Sequence, residues 1–91
     1  MARHFLYIVL CSDGSLYTGY TTDPKRRLRE HNSGIGSRYT RTRRPVKLAY
    51  LEERSSRAEA LRREIQIKRL SRNERLLLCA EKGTGAAQGS A

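Results

Sequence analysis

The chain begins with an unbroken run of six apolar residues at positions 5–10. Because this run has no polar position, it predicts a β-strand that is covered on both faces. Turn-forming residues follow at 12–15, and positions 16–20 are predicted as a second strand, so the two form a β-hairpin. A third strand is predicted over 46–51.

Three helices are predicted from apolar periodicity and capping residues, over about 24–32, 57–69 and 70–79. Pro24 occupies the first helical position of the first helix, and Glu59 is placed to complete a capping box in the second. Their N-caps are Asp23, Ser55 or Ser56, and Ser71.

The predicted order of elements is β-β-α-β-α-α, with a long basic loop over 34–45. This order is typical of the α+β class, here a three-stranded, mainly antiparallel sheet flanked by helices. We expect one domain over residues 1–80. The segment 81–91, rich in Gly, Ala and Ser, is expected to be a disordered tail.

The net charge of the chain indicates a polyanionic partner. The 91 residues include 19 Lys and Arg against 9 Asp and Glu, a formal net charge of +10. Nucleic acid is the commonest partner of so basic a small protein. A basic but inert surface, or a ribosome-associated protein, is the alternative.

The composition also excludes several classes of protein. The N-terminal apolar run is too short for a secretory signal or a membrane span, so a cytoplasmic protein is expected. Cys11 and Cys79 have no CxxC partner and no His at ligand spacing, so they are predicted to be separate, reduced thiols and not zinc ligands.

Glu64 is the most informative single residue of the second half of the chain. On a helical wheel, Ala58, Leu61 and Ile65 cluster on one side, and Glu64 falls within this apolar arc, which Ala60 and Ile67 extend. A carboxylate facing a core is costly unless it is paired or binds a cation. Glu64 is therefore either a metal ligand or part of a buried ion pair, for example with an Arg of the first helix. Lys68, one turn later, is interpreted as structural.

The first helix contributes a second candidate group. Pro24, Leu28 and His31 define its inward stripe, and Arg27 lies beside His31 at the i,i+4 spacing. A cation and an imidazole thus flank the only large apolar residue of this helix. A lone helical histidine is more often packed or solvated than functional.

Tyr7 and Tyr17 lie on adjacent predicted strands, and the turn between them decides whether they share a face. A two-residue turn at 13–14 puts the rings on opposite faces, whereas a three-residue loop with Gly14 left-handed puts both on one face. The residues alone leave both turns open. Gly19, inside the second strand, predicts a close approach by another group.

These positions together resemble the GIY-YIG nuclease superfamily, and in particular its short stand-alone bacterial branch. The similarity covers residues 4 to about 78. Phe5-Leu6-Tyr7 stands at the first motif and Tyr17-Thr18-Gly19 at the second, ten residues on. The remaining matches are Arg27, His31 and, within a segment that looks like the family's late helix, Glu64.

The resemblance implies a three-stranded antiparallel sheet with both tyrosines facing one site, which favours the three-residue loop. It implies an endonuclease that hydrolyses DNA, or alternatively RNA, with a family-level role in DNA repair or processing. The implied catalytic residues are Tyr7, Tyr17, Arg27, His31 and Glu64. The chain departs from the family at Phe5 (a Gly in the motif), Thr18 (Ile or Val) and Leu76 (an Asn in many members).

In the expected mechanism, Glu64 holds one divalent cation, Mg²⁺ or Mn²⁺, and Arg27 clamps the scissile phosphate. Tyr7 or Tyr17 deprotonates the attacking water, and His31 relays or accepts the proton. Structure- or strand-dependent binding by a monomer is favoured, and a non-catalytic nucleic-acid-binding module is the alternative. The predicted nucleic-acid contacts are Lys25, Arg26, Arg38, Tyr39, Arg41, Arg43, Arg44 and Lys47.

Overall fold

The structure is a computed structural model and describes residues 3–83 of the chain. Within this range it contains three strands and flanking helices, which confirms the predicted α+β class. The elements are β1 (His4–Leu10), β2 (Leu16–Thr21), α1 (Pro24–Ser33), α2 (Arg38–Arg41), β3 (Lys47–Arg54), α3 (Arg57–Arg69), α4 (Arg72–Leu78) and a π-helical segment (Cys79–Gly83).

β1 is the central strand of the sheet, which has the order β2-β1-β3 with antiparallel neighbours on both sides. Tyr7 and Val9 pack on one face of β1 and Leu6 and Ile8 on the other, each at most 2% exposed. A central strand with helices on both sides has no solvent face. The prediction that the apolar run is covered on both faces is therefore confirmed.

Two apolar clusters lie on the opposite faces of this sheet. On one face, Leu6 and Ile8 pack with Ala60 and Ile67 of α3. On the other face, Tyr7 and Val9 pack in a cluster that Leu28 of α1 joins. The core of this small domain is thus two thin layers, and α1 and α3 each bury one stripe of side chains.

The hairpin turn is a three-residue loop that ends in Gly14. The Cys11 amide donates to the Ser15 carbonyl oxygen at 2.9 Å, and Gly14 has a φ of +86°. This left-handed residue and this pairing form the bulged loop that puts both tyrosines on one face. The rings of Tyr7 and Tyr17 lie side by side, with centroids 6.5 Å apart.

The region predicted as one long loop contains a short helix, α2. The Ser37 side chain caps it by accepting a hydrogen bond from the Thr40 amide at 3.1 Å, a local signal that the interpretation as a loop missed. β3 also runs three residues further than predicted. Of the expected tail 81–91, residues 81–83 belong to the π-helical segment, and 84–91 lie outside the described residues.

The inward stripe of α3 differs from the predicted one. Ala60 and Ile67 are fully buried, but Ala58 is exposed and Ile65 is 51% exposed, so the predicted place of Ala58 and Ile65 in the core was wrong. A helix that rests on one face of a three-stranded sheet buries only the narrow stripe that contacts the sheet. Glu64 lies within this stripe, as predicted, with its side chain 16% exposed.

An ion pair joins α3 to β3. The Nε of Arg63 donates to both carboxylate oxygens of Glu52 at 3.2 Å, and the Tyr50 hydroxyl donates to the same carboxylate. This contact holds the flank of α3 that carries Arg63 against β3.

The helix starts follow local capping chemistry. Ser56, not Ser55, is the N-cap of α3, and Glu59 accepts a hydrogen bond from the Ser55 hydroxyl at 3.0 Å instead of completing a capping box. The capping box forms at α4, between Ser71 and Glu74.

Two expectations from composition can be compared with residues 3–83. Cys11 and Cys79 are both free, so the prediction of separate thiols is confirmed. None of the helices in this range has the length and hydropathy that crossing a bilayer requires.

Candidate active site

The hydroxyl of Tyr7 is the centre of the candidate site. It lies 2.8 Å from His31 Nε2 and accepts a hydrogen bond from Arg27 Nε at 3.2 Å. The Tyr7 ring crosses Gly19, its partner on β2, so closely that a Cβ there would lie 2.4 Å from the hydroxyl oxygen. The predicted close approach at Gly19 is confirmed, and the approaching group is Tyr7.

His31 is fully buried, and both of its ring nitrogens have partners. Nε2 meets the Tyr7 hydroxyl, and Nδ1 lies 2.8 Å from the hydroxyl of Thr40. Burial, and secondarily the charge of Arg27, lowers the pKa of His31. The imidazole is therefore neutral near pH 7 and can accept a proton.

We expect the free energy of unfolding to fall as the pH is lowered below about 6.5, the ordinary pKa of histidine. The pKa of His31 is depressed in the folded state, so the unfolded chain binds the proton first. The stability is complete above that pH and is lost as the pH falls toward the folded pKa, by at most about 1.4 kcal/mol per pH unit. Urea unfolding monitored by circular dichroism between pH 8 and 5 measures this slope.

The chain offers a matched control, because His4 is its other histidine. His31→Gln should remove the pH dependence in this window, and His4→Gln should retain it. An unchanged slope in His31→Gln would show that another group causes the dependence.

Arg27 is held by three acceptors and keeps donors to spare. Besides the Tyr7 hydroxyl, it donates to Glu30 Oε1 at 3.0 Å and to the Gly36 carbonyl oxygen at 2.8 Å. A guanidinium has five N–H donors, so two remain. Since the side chain is 27% exposed, these donors can reach a ligand from solvent.

Tyr17 forms the outer wall of the site. Its ring stands edge-on to His31, with centroids 5.3 Å apart, and stacks on Tyr39 at 5.8 Å. Arg43 lies 3.9 Å from the centre of the Tyr39 ring and forms an ion pair with Asp13 of the hairpin loop. These aromatic contacts link the hairpin to the segment that follows α1.

Glu64 acts on the same phenol from α3. Burial is the largest cause that raises the pKa of Tyr7 to about 12; Arg27 opposes this shift, and the charges of Tyr17 and then Glu64 add to it. The charges of Arg27 and Glu64 therefore shift the pKa of Tyr7 in opposite directions. The ion pair of Glu64 within residues 3–83 is with Lys68 of its own helix, at 3.3 Å, and not with an Arg of α1.

The residues around Glu64 limit the kind of metal site that it could form. No group of three or more His, Cys, Asp or Glu side chains converges among residues 3–83. Mg²⁺ keeps several waters and is often held by one or two carboxylates together with substrate phosphates. A single half-buried carboxylate whose partner is a 53% exposed lysine fits that mode of binding.

The predicted nucleic-acid contacts fall into two groups. All of them are exposed except Arg43, which is half-buried, and the first group is Lys25, Arg38, Arg41 and Lys47. The others already have partners in the protein: Arg26 pairs with Glu30, Tyr39 stacks on Tyr17, Arg43 pairs with Asp13, and Arg44 donates to the Arg41 and Asn32 carbonyl oxygens.

A polar cleft lies beside the exposed arginines, between the end of α1 and the start of β3. Its volume is about 450 Å³, and it is lined by Asn32, Arg41, Thr42, Arg44 and Pro45. Two guanidinium groups and no carboxylate line this cleft, which suits an anion such as a phosphate.

The sequence interpretation missed three residues that hold the site together. Gly36 packs on His31, where a Cβ would be 2.4 Å from Nδ1, and its carbonyl oxygen holds Arg27. Thr40 contacts His31, and Glu30 contacts Arg27. The Ser37-x-x-Thr40 capping pattern was the one local signal available, because the other contacts depend on packing.

Comparison with known proteins shows which domain family the chain matches. Residues 3–76 match the model of a domain family described as the GIY-YIG catalytic domain. A UPF0213 protein of Staphylococcus haemolyticus is 54% identical over 82 residues, 90% of this chain and all of that protein. A UPF0213 protein of Staphylococcus saprophyticus is 51% identical over 81 residues, 89% of this chain and 99% of that one.

Two solution NMR structures are also similar. A UPF0213 protein of Bacillus halodurans is 45% identical, with a TM-score of 0.60 over 92% of this chain and 89% of that one. A protein of E. faecalis is 38% identical, with a TM-score of 0.60 over 100% of this chain and 97% of that one. The relatives are therefore short chains of about the same extent as this one.

Proposed function

Because this chain belongs to the GIY-YIG catalytic domain family, a nuclease-type family, we propose that it is a divalent-metal-dependent endonuclease that hydrolyses phosphodiester bonds in DNA. The observation that carries the proposal is the buried Tyr7 hydroxyl, held between a neutral imidazole and a guanidinium. This arrangement places a proton acceptor beside a group that can bind a phosphate.

Arg27 is proposed to bind the scissile phosphate. Its two remaining N–H donors can bind two phosphate oxygens, and the three that are occupied keep the guanidinium plane fixed. A donor that is already oriented loses little entropy when the negative charge increases in the transition state.

Tyr7 is proposed as the general base, with His31 as the acceptor of its proton. The attacking water gives a proton to the Tyr7 oxygen while the phenol proton moves to His31 Nε2, 2.8 Å away. The water oxygen forms the new bond to phosphorus, and the bond to the leaving oxygen breaks. Arg27 Nε stabilises charge on the phenol oxygen during this transfer.

Tyr17 is proposed to have a different role. Its hydroxyl has no hydrogen-bond partner among residues 3–83, and its ring is packed by Tyr7, His31 and Tyr39. We assign it to the wall that orients the substrate beside the reacting phosphate.

Glu64 is the residue that would hold the divalent cation, Mg²⁺ or Mn²⁺. When bound there, the cation supplies positive charge that makes a water more acidic and stabilises the leaving oxygen. The nucleic-acid backbone is proposed to lie along the exposed Lys25, Arg38, Arg41 and Lys47, with the anion cleft between Arg41 and Arg44 as one phosphate position.

The activity can be tested directly with the purified protein. We expect it to cleave labelled nicked, branched or single-stranded DNA in Mg²⁺ or Mn²⁺, and EDTA to abolish cleavage. The substrate preference is measured on denaturing gels, by comparing these substrates with continuous duplex DNA and with RNA. Binding that weakens with salt, without cleavage of any substrate, would instead support a non-catalytic module on the same fold.

A further inference from the structure

We propose that Thr40 is a positioning residue, whose hydroxyl holds the neutral His31 ring in the tautomer that carries its proton on Nδ1. His31 Nε2 is then left to accept the proton of the Tyr7 hydroxyl. The catalytic consequence rests on the proposed nuclease function, whereas the tautomer itself is a property of the protein without substrate.

The contacts of Thr40 allow its hydroxyl proton to point to Ser37 and away from His31. The side chain is fully buried, and its oxygen lies 2.8 Å from His31 Nδ1 and 2.8 Å from the Ser37 hydroxyl oxygen. It also donates to the Ser37 carbonyl oxygen at 3.5 Å, an atom that can only accept. A proton shared with Ser37 leaves the lone pairs of the Thr40 oxygen facing Nδ1, which must then carry a hydrogen.

The contacts of Tyr7 favour the same tautomer. Arg27 Nε donates to the phenol oxygen, so the single phenol proton is available for His31 Nε2. In the opposite tautomer, Nε2 would also donate to this oxygen, and the phenol proton would have no acceptor among residues 3–83. A buried donor without a partner costs about 1–3 kcal/mol. The contacts at Nδ1 and those at Nε2 therefore favour the same tautomer of His31, with the proton on Nδ1.

The local backbone makes this contact possible. Gly36 lies against the His31 ring, where a Cβ would overlap Nδ1 at 2.4 Å, so the segment that carries Thr40 can approach only because this residue lacks a side chain. The single turn of α2, capped by Ser37, then directs the Thr40 side chain inward. The result is a chain of hydrogen bonds from Tyr7 through His31 and Thr40 to Ser37.

The tautomer can be measured on the metal-free protein, without substrate. The ¹⁵N chemical shifts of the His31 ring distinguish protonated from unprotonated nitrogens. We expect wild type and Thr40→Ser to show Nδ1 protonated and Nε2 unprotonated. Thr40→Val, which keeps the shape and removes the hydroxyl, should shift the population toward the Nε2–H form.

The cleavage assay is the second readout. Thr40→Val should lower kcat by about 10–100-fold, by analogy with the outer-shell partners that orient metal-ligating histidines, and leave KM unchanged. Thr40→Ser should return kcat to within about twofold of wild type, since it restores the hydroxyl. A merely structural role would not separate these variants in the ring ¹⁵N shifts.

The outcomes separate the two proposals. Nδ1–H retained in Thr40→Val would overturn the role of Thr40, whatever the activity. If Thr40→Val shows the expected change of tautomer but the wild-type protein cleaves no substrate, the result would support the role of Thr40 and count against the nuclease function. Thr40→Ala provides the same two readouts if Thr40→Val does not fold, with thermal unfolding as the check.

Discussion

Replacing Glu64 with Gln should reduce metal-dependent cleavage by at least about 10²–10³-fold, the cost of removing one group that stabilises transition-state charge. The half-buried carboxylate is the only proposed ligand of the divalent cation, and an amide of the same shape binds Mg²⁺ far more weakly. Initial rates measured against Mg²⁺ and Mn²⁺ concentration would show whether the loss lies in metal affinity or in turnover.

Glu59→Gln is the matched control for this substitution. Glu59 lies on the same helix, α3, and its exposed carboxylate accepts a hydrogen bond from the Ser55 hydroxyl. The Glu59→Gln variant loses the same charge but leaves the site unchanged, so its cleavage rate should stay close to that of wild type. Equal losses in both variants would point to net charge on α3, and unchanged cleavage in Glu64→Gln would remove Glu64 from the metal site.

Tyr7→Phe should lower kcat by about 10²–10⁴-fold, the contribution of a well-placed general base. The substitution removes only the hydroxyl that Arg27 and His31 hold, and the ring can keep its place across Gly19. The folded state should lose about 1 kcal/mol, because the buried His31 Nε2 loses its partner. Single-turnover cleavage and urea unfolding separate these two effects.

Two other tyrosines complete the comparison. Tyr20→Phe removes a hydroxyl that contacts His4 outside the site, and it should leave kcat unchanged. Tyr17→Phe should retain more activity than Tyr7→Phe, because Tyr17 is assigned to the wall and not to the proton transfer. A larger loss in Tyr17→Phe would reverse the assignment of the base.

Much of the fold follows from local patterns. The apolar run of β1 predicts a central strand because burial on both faces leaves no position for a polar side chain. The helix starts at Pro24 and at the residues after Ser56 and Ser71 follow from capping chemistry, which acts within three or four residues. Ile65 was misplaced because helical periodicity does not state how wide a stripe the sheet will cover.

The candidate site was predictable only in part. Glu64 could be recognised as a carboxylate in an apolar stripe, but the structure was needed to show that its ion pair is with Lys68 of the same helix and not with an Arg of α1. The two possible hairpin turns use the same residues, and the choice between them depends on the register of β2 against β1. That register is set by which faces become buried, which is a property of the whole domain.

The sequence by itself determined the α+β class, the order of the strands along the chain and the inward stripe of α1, because each depends on neighbours within one or two turns. Gly19 indicated a close approach, but only the tertiary structure identified Tyr7 of β1 as the approaching group. Only the tertiary structure decided that Tyr7 is hydrogen-bonded to His31 Nε2 and that Thr40 is hydrogen-bonded to His31 Nδ1. These contacts join residues from different elements, and a hydrogen bond needs its atoms within about 3 Å. Packing of β1, α1 and α2 sets that distance, and no local pattern encodes it.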